Sequence, residues 1–378
     1  MIYLDNSSTT KPDKKAVDAV IFAMDCFGNP SSPHGMGTKA QLMLSNARKN
    51  ISSALKCNES EIFFTSGGSE SNNTLILGLA RKNSKRAKRI ITTDSEHPSV
   101  EEPVALLEKE GFEVIRLSTK GGAIELDELR EALSKKTSLV TIMHANNETG
   151  ALYDIAKIRE AIDESESGAY FHSDCVQSFM KTNVNFTKYC DCASFSAHKI
   201  GGIKGCGGLF LRKDIKLEPL IRGGGQEKGF RSGTENMPGI MAFSAAVSVW
   251  HESKKERNAH ISTLKKLLIE TLKEKMGDGV VINTPFDSVC TVLNFSVPGI
   301  KSETIINALS AEEIYVSASS ACSARAKENR VLSAFGLPKE LSESALRVGI
   351  SYSNTEEEIL VFCQKLEEIT KKLLKTNN

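Results

Sequence analysis

Ile62-Phe63-Phe64-Thr65-Ser66-Gly67-Gly68-Ser69-Glu70-Ser71-Asn72-Asn73-Thr74-Leu75-Ile76-Leu77 is the stretch that decides the fold. The first four residues read as a buried strand, a run of small residues follows as a tight connection, and Thr74-Leu75-Ile76-Leu77 reads as a helix. Outward from it the alternation continues to residue 212. Arg89-Ile90-Ile91-Thr92-Thr93, Glu113-Val114-Ile115-Arg116-Leu117, Ser138-Leu139-Val140-Thr141-Ile142-Met143, Ala169-Tyr170-Phe171-His172 and Gly208-Leu209-Phe210-Leu211 read as strands, with helical spacing between several of them, as at 104–107 and 126–133. Such alternation implies right-handed crossovers and a mostly parallel, doubly wound sheet. Its ligands sit beyond the carboxyl ends of the strands. Polar clusters fall at several of those ends: Ser66-Gly67-Gly68-Ser69, Glu96-His97, His144-Ala145-Asn146-Asn147-Glu148 and Asp174. We read them as one site.

A long helical stretch from about 235 to 276 leads out of this domain. Strands at 289–295 and 314–317 and further helices then form a smaller α+β unit. In the last helix Thr355 and Glu358 have capping-box spacing, and Ile359, Cys363, Leu366, Ile369 and Leu373 share one face for core packing. The expected division is a large domain over 15–255 and a small one made of 1–14 and 256–378.

With 378 residues, 40% hydrophobic and 25% charged, the balance is that of an ordinary globular protein and excludes disorder. At roughly 150 residues per domain the length predicts two domains. The 48 Lys and Arg nearly cancel the 47 Asp and Glu, so no net field favours nucleic acid or an anionic membrane. Aromatics at 6% are too sparse for a base-stacking surface. The most apolar stretch, 239–250, is far shorter than the roughly 20 residues of a membrane span. Direct contact with nucleic acid or membrane is therefore not expected. Nine cysteines, an odd count, and an opening Met1-Ile2-Tyr3-Leu4-Asp5 without a leader pattern fit a reducing cytoplasm and at least one free thiol.

Small residues at a helix start expose backbone N–H groups to an anion, so Ser66-Gly67-Gly68-Ser69 reads as a phosphate cup or, alternatively, a simple N-capped turn. The Walker and G-x-G-x-x-G spacings are both absent. Ser194-Phe195-Ser196-Ala197-His198-Lys199 is more specific, because the glycines that follow (Gly201, Gly202, Gly205, Gly207, Gly208) mark a close backbone approach. Lys199 there fits a Schiff-base nucleophile, whose amine must be desolvated to lose its proton, and the neighbouring Ser and His fit a phosphate. Asp174 at a strand end fits a partner for a protonated pyridine nitrogen, which makes pyridoxal phosphate an electron sink. A mere helix cap is the other reading. Gln177 is placed to reach the ring hydroxyl, and His97 beside Pro98 is either a cover for the ring face or a structural histidine. Cys190-Asp191-Cys192 has the look of a metal or relay pair, yet so short a spacing before a strand reads as packing. Cys175 adjoins Asp174 without a role. Cys26, Cys57, Cys206, Cys290 and Cys363 lack metal-ligand spacing, so no metal is expected.

Taken in order, Tyr3-Leu4-Asp5-Asn6, Gly28-Asn29-Pro30-Ser31-Ser32, the 64–73 stretch, Glu96-His97, His144-Ala145-Asn146-Asn147-Glu148, Ser194 to Lys199, Gly223-Gly224-Gly225-Gln226-Glu227, Arg231-Ser232-Gly233-Thr234-Glu235-Asn236 and Ala321-Cys322-Ser323 resemble the cysteine desulfurases of the NifS/IscS type, within the class V aminotransferase group. The resemblance implies the type I aminotransferase fold: α/β, with a large domain whose mostly parallel doubly wound sheet binds pyridoxal 5'-phosphate, plus a smaller α+β domain. It implies that Lys199 carries the cofactor, His97 stacks on its ring, Asp174 meets the ring nitrogen and Gln177 the hydroxyl. Gly68, Ser69, Ser196 and His198 would hold the phosphate, joined by Thr234 from the other subunit of a homodimer. Asn147, beside the cofactor, and Arg347 would receive the substrate carboxylate, and Cys322 would be the nucleophile.

The implied activity converts L-cysteine to L-alanine and passes sulfur to a Cys322 persulfide. From there it goes to a protein acceptor for iron–sulfur cluster assembly or tRNA thiolation. Selenocysteine lyase or an aminotransferase on the same fold is the enzymatic alternative, and a sulfur- or cluster-binding scaffold the non-catalytic one. A scaffold has no need of Lys199, Asp174 and Cys322 together. Two departures bear on loop movement and acceptor choice: Ser319-Ser320-Ala321-Cys322 stands where the family has Gly-Ser-Ala-Cys, and Ala324-Arg325-Ala326-Lys327-Glu328-Asn329-Arg330 is unusually charged.

Overall fold

The computed structural model describes residues 1–319 and 329–376. A short strand β1 (Ile2–Tyr3) precedes α1 (Lys14–Asp25) and α2 (Gly35–Leu55). Strands and helices then alternate as β2 (Ile62–Thr65), α3 (Gly68–Asn83), β3 (Arg89–Thr93), α4 (Pro98–Lys109), β4 (Glu113–Leu117), α5 (Leu126–Ala132), β5 (Leu139–Thr141) and α6 (Ile155–Glu164). They continue as β6 (Tyr170–Asp174), the one-turn α7 (Phe186–Tyr189), β7 (Cys192–Ser196) and β8 (Gly207–Leu211).

The strands of this alternating region make one seven-stranded sheet in the order β2-β8-β7-β6-β5-β3-β4. It is parallel except for β8, which runs antiparallel to both β2 and β7. Chain length explains the reversal. Only residues 197–206 join β7 to β8, fewer than the dozen or so that a parallel crossover needs. Strands β2, β3, β5, β7 and β8 are buried along their whole length, which is why they read as continuous apolar runs rather than alternating ones.

The helix α8 (Met237–Met276) is 40 residues long, and the Asn236 side chain caps its start by accepting from Gly239 N. Phe243, on its first half, packs 6.0 Å from Phe195 of β7, which itself stacks on Phe179 at 4.5 Å. This buried aromatic group fixes the helix against the large sheet.

Beyond α8 lie β9 (Val281–Ile282), β10 (Val292–Ser296), α9 (Ser302–Ala311), β11 (Ile314–Tyr315), β12 (Ser317–Ala318), α10 (Arg330–Ala334), α11 (Lys339–Glu343), β13 (Ala345–Gly349) and α12 (Glu356–Thr376). An antiparallel sheet has the order β12-β13-β10-β9. The strand expected over 314–317 is two strands with different partners, since β11 pairs with β1 and β12 with β13. The strand expected from residue 289 begins at Val292. The capping box of α12 is present: Thr355 N donates to Glu358 Oε2 and Glu358 N to Thr355 Oγ1, both at 3.2 Å.

What positions the site is the N-terminal segment. Gly349 N donates to Leu4 O at 2.6 Å and Thr10 N to His198 O at 2.9 Å, so residues 5–10 are tied to the end of β13 on one side and to the turn after β7 on the other. A Cβ on Gly349 would fall 2.3 Å from Ser7 N, which leaves room for glycine alone at that junction.

Candidate active site

A cavity of about 280 Å³ opens at the carboxyl ends of the parallel strands, beneath the N-terminal segment. Its wall brings together Gly68 and Ser69 after β2, His97 after β3, Asn147 after β5, Asp174 and Gln177 from the end of β6, and Ser196, His198 and Lys199 after β7. Arg347 of β13 closes it from the antiparallel sheet. Thr234 is not among them; it is exposed in a separate recess lined by Ser66, Glu227 and Arg231. Cys322 lies outside the described residues.

Lys199 ends the short 3-10 turn Ala197–Lys199, half-buried, with Nζ donating to Ser7 O at 2.5 Å and Ser8 O at 2.8 Å. The glycines around it are there for close approach. A Cβ on Gly207 would lie 2.6 Å from Gly67 Cα, and Gly201, at φ 85°, would put one 2.4 Å from Asp13 Oδ2. The β7–β8 connection can therefore press against the loop that opens α3.

Asp174 makes a local turn contact and also lines the cavity. Its Oδ1 accepts from Val176 N at 2.9 Å and closes a turn, while Oδ2 accepts from Asn72 Nδ2 at 2.7 Å. Asn72 also accepts from the Ser194 hydroxyl and donates to Ser99 Oγ at 2.8 Å. Both carboxylate oxygens are thus anchored, one of them by an amide that does not line the cavity. His97 likewise combines two roles: it caps α4 by accepting from Ser99 N at Nδ1, 3.1 Å away, and still lines the cavity. With Nδ1 as an acceptor, the ring proton sits on Nε2. Burial holds this imidazole below the usual histidine range, against the opposing pull of Asp174.

At the cup, a Cβ on Gly68 would stand 2.7 Å from Val176 Cγ2, and the Ser196 hydroxyl oxygen is buried with no hydrogen-bond partner among the described residues. Burial, then Lys199, pushes His198 down to about 4, so it is neutral. At the opposite wall the Arg347 guanidinium donates to Ser8 Oγ at 2.8 Å, Ser317 Oγ at 3.1 Å, Glu148 Oε1 at 3.2 Å and Asp5 Oδ1 at 3.3 Å. Asn147 Oδ1 is buried without a partner among the described residues.

Sequence reasoning missed Ser7 and Ser8, and it quoted Asp5, Asn72 and Glu148 within motifs without giving any of them a role. Asn72 carried a usable signal, because it stands four residues after Gly68 and so shares its helix face. Ser7 and Ser8 carried none, since their approach depends on β13.

The family described as aminotransferase class-V matches residues 2–362. The chain belongs to the class-V aminotransferase family. It is 38% identical over 98% of its length to a protein named cysteine desulfurase IscS from Methanosarcina thermophila, covering 92% of that protein. To a NifS/IcsS protein homolog from Lactobacillus delbrueckii subsp. bulgaricus it is 39% identical, covering 100% of this chain and 99% of that one. A solved structure titled NIFS-like protein superposes with a TM-score of 0.92 at 36% identity, over 98% of this chain and 99% of the other. These relationships establish the type I aminotransferase fold.

Members of this family use pyridoxal 5'-phosphate, and the cavity fits it. The Ser196 hydroxyl, buried with no partner among the described residues, and the first-turn N–H groups of α3 suit a phosphate, a buried carboxylate suits a ring nitrogen, and the Lys199 amine lines the same cavity. Cys190 and Cys192, by contrast, are fully buried, and Cys175, also fully buried, is pushed up to about 12 by burial, so these thiols are packed in the interior and burial works against the thiolate form.

Proposed function

We propose that the chain is a pyridoxal-phosphate-dependent cysteine desulfurase, releasing L-alanine and placing the sulfur of L-cysteine on Cys322. The observation that carries this reading is the single cavity in which Lys199, Asp174, His97, the glycine-serine cup and Arg347 meet. When bound, the cofactor delocalises the charge left after loss of the substrate Cα proton. Asp174 would keep the ring nitrogen protonated, and Gln177 would hold the ring hydroxyl. Gly68, Ser69, Ser196 and His198 would bind the phosphate through neutral donors and backbone N–H groups. Asn147 and Arg347 would receive the substrate carboxylate, and Lys199 would take and return the Cα proton. The Cys322 thiolate would attack the substrate sulfur, so that an S–S bond forms as the C–S bond breaks.

Thr234 shares its recess with Ser66 of the glycine-serine turn and does not line the cavity itself, which supports a homodimer in which each subunit's Thr234 serves its neighbour. A large domain over 15–255 and a small one from 1–14 and 256–378 agree with the separate sheets. A protein acceptor for iron–sulfur assembly or tRNA thiolation would take the sulfur, in the cytoplasm. No described helix is long and apolar enough to cross a membrane.

The test is spectroscopic and then chemical. The purified protein should show a visible cofactor band that borohydride bleaches and fixes to the chain, and Lys199→Ala should abolish the fixation. Cys322→Ala should lose sulfide production from L-cysteine. Retention of full desulfuration in Cys322→Ala would overturn the persulfide step.

A further inference from the structure

Arg347 is not an empty cradle waiting for a carboxylate. One guanidinium, 5% exposed, already faces two carboxylates, Glu148 on the loop after β5 and Asp5 on the N-terminal segment. A substrate carboxylate arriving there would bring a third negative charge to that guanidinium, in a cavity where water screens little and where the other cation facing Glu148, Lys199, would be committed to the cofactor in the loaded protein. Something must take a proton.

The two residents differ. The Asp5 side chain is 22% exposed and accepts from Ser8 Oγ at 2.8 Å, so solvent and a hydroxyl support its charge. The Glu148 side chain is 7% exposed, accepts from Asn147 Nδ2 at 2.9 Å through the same Oε1 that Arg347 holds, and leaves Oε2 buried without a partner among the described residues. That oxygen is where a proton fits. The other groups facing this centre are Lys199 from the turn after β7, the Ser319 hydroxyl after β12, Tyr3 of β1 beside Asp5, and His97 across from Arg347. Burial raises the Glu148 carboxyl above its ordinary range, while Arg347 opposes the shift and Asp5 adds to it.

We infer that Glu148 is the proton-accepting partner of the carboxylate anchor: a carboxylate that settles on Arg347 displaces Glu148 from the guanidinium, and Glu148 takes one proton from solvent at Oε2. Resting on Arg347 as the substrate anchor, the inference adds a pH dependence to that reading. Below the pKa of Glu148 in the free protein the residue is neutral in both states and affinity is at its maximum. Above it, binding requires proton uptake and weakens by up to about tenfold per pH unit, until the pKa in the complex is passed.

The probe is 3-mercaptopropionate, which has the thiol and carboxylate of L-cysteine but no amine to react at Lys199. Its Kd for the holoenzyme is measured against pH, and calorimetry in two buffers of different ionisation enthalpy counts the protons taken up. The expected result is uptake approaching one proton in the wild type and a flat, tighter profile in Glu148→Gln, with Asp5→Asn keeping the wild-type slope. Zero uptake by the wild type at every pH at which the protein is folded overturns the inference without any variant. An unchanged slope in Glu148→Gln, or a flat profile in Asp5→Asn instead, also overturns it. Arg347→Gln separates the two layers: if it binds the probe as well as wild type, the anchor reading itself fails, whereas lost binding there with an unchanged Glu148→Gln slope sinks the inference alone.

Discussion

Asn72 shows how a residue outside the cavity wall can hold one inside it. It touches Asp174, Ser99 and Ser194, three residues from three different segments, and therefore fixes where the carboxylate points. Asn72→Ala would leave a buried acceptor unmade, at about 1–3 kcal/mol of unfolding free energy. Thermal or urea unfolding checks the loss, and weaker retention of the cofactor on dialysis should accompany it. Lys199 and Asp174 were legible because their residue types are unusual at strand ends. Asn72 was quoted with the cup yet given no role, because an amide has no chemistry of its own; its importance comes from what it holds.

Among the elements, β8 is the one whose direction matters to the site. Running against β2 and β7, it brings Gly207 against Gly67, and the nearest atoms to a Cβ there are backbone: Gly67 Cα at 2.6 Å and Phe195 O at 2.8 Å. Backbone cannot rotate away as a side chain does. Gly207→Ala should destabilise by about 1–3 kcal/mol, as overpacking does, and shift the cup, so that the variant melts earlier and binds the cofactor less tightly. In β6, the ring of His172 is fully buried, with Nδ1 2.8 Å from Thr141 Oγ1, and burial pushes it down to about 3. The sign follows directly. In the unfolded chain this histidine binds a proton below about 6.5 while the folded protein excludes it, so stability is lost as pH falls below that value, at roughly 1.4 kcal/mol per unit. Unfolding midpoints measured down to the folded-state value would show the decline, and His172→Gln should flatten this part of the profile.

At the scale of the whole molecule, Ile21, Phe22, Met24, Phe27 and Leu42 are each more than half exposed on α1, α2 and the segment just after α1. So many large apolar side chains left in water on neighbouring stretches of the chain support an interface there in the proposed homodimer. In the proposed homodimer, Phe22→Asp together with Phe27→Asp should yield a monomer by light scattering. That monomer should retain less cofactor, since it would lack the partner subunit's Thr234. Thr355 and Glu358 stand at the other extreme: a local capping box, foreseen from spacing alone and present.

The sequence by itself determined the alternating strands and helices, the mostly parallel sheet, and the placing of the glycine-serine turn and Lys199 at strand ends, because each is written in neighbouring residues by period and side-chain chemistry. Tertiary structure alone decided the reversal of β8, the splitting of 314–317 between two sheets, and the crowd around Arg347. Asp5, Glu148 and Arg347 lie far apart in the chain, and only the fold of β13 against the N-terminal segment brings their charges within 3.3 Å. Charge balance depends on distance and burial, and neither exists until the chain has closed on itself.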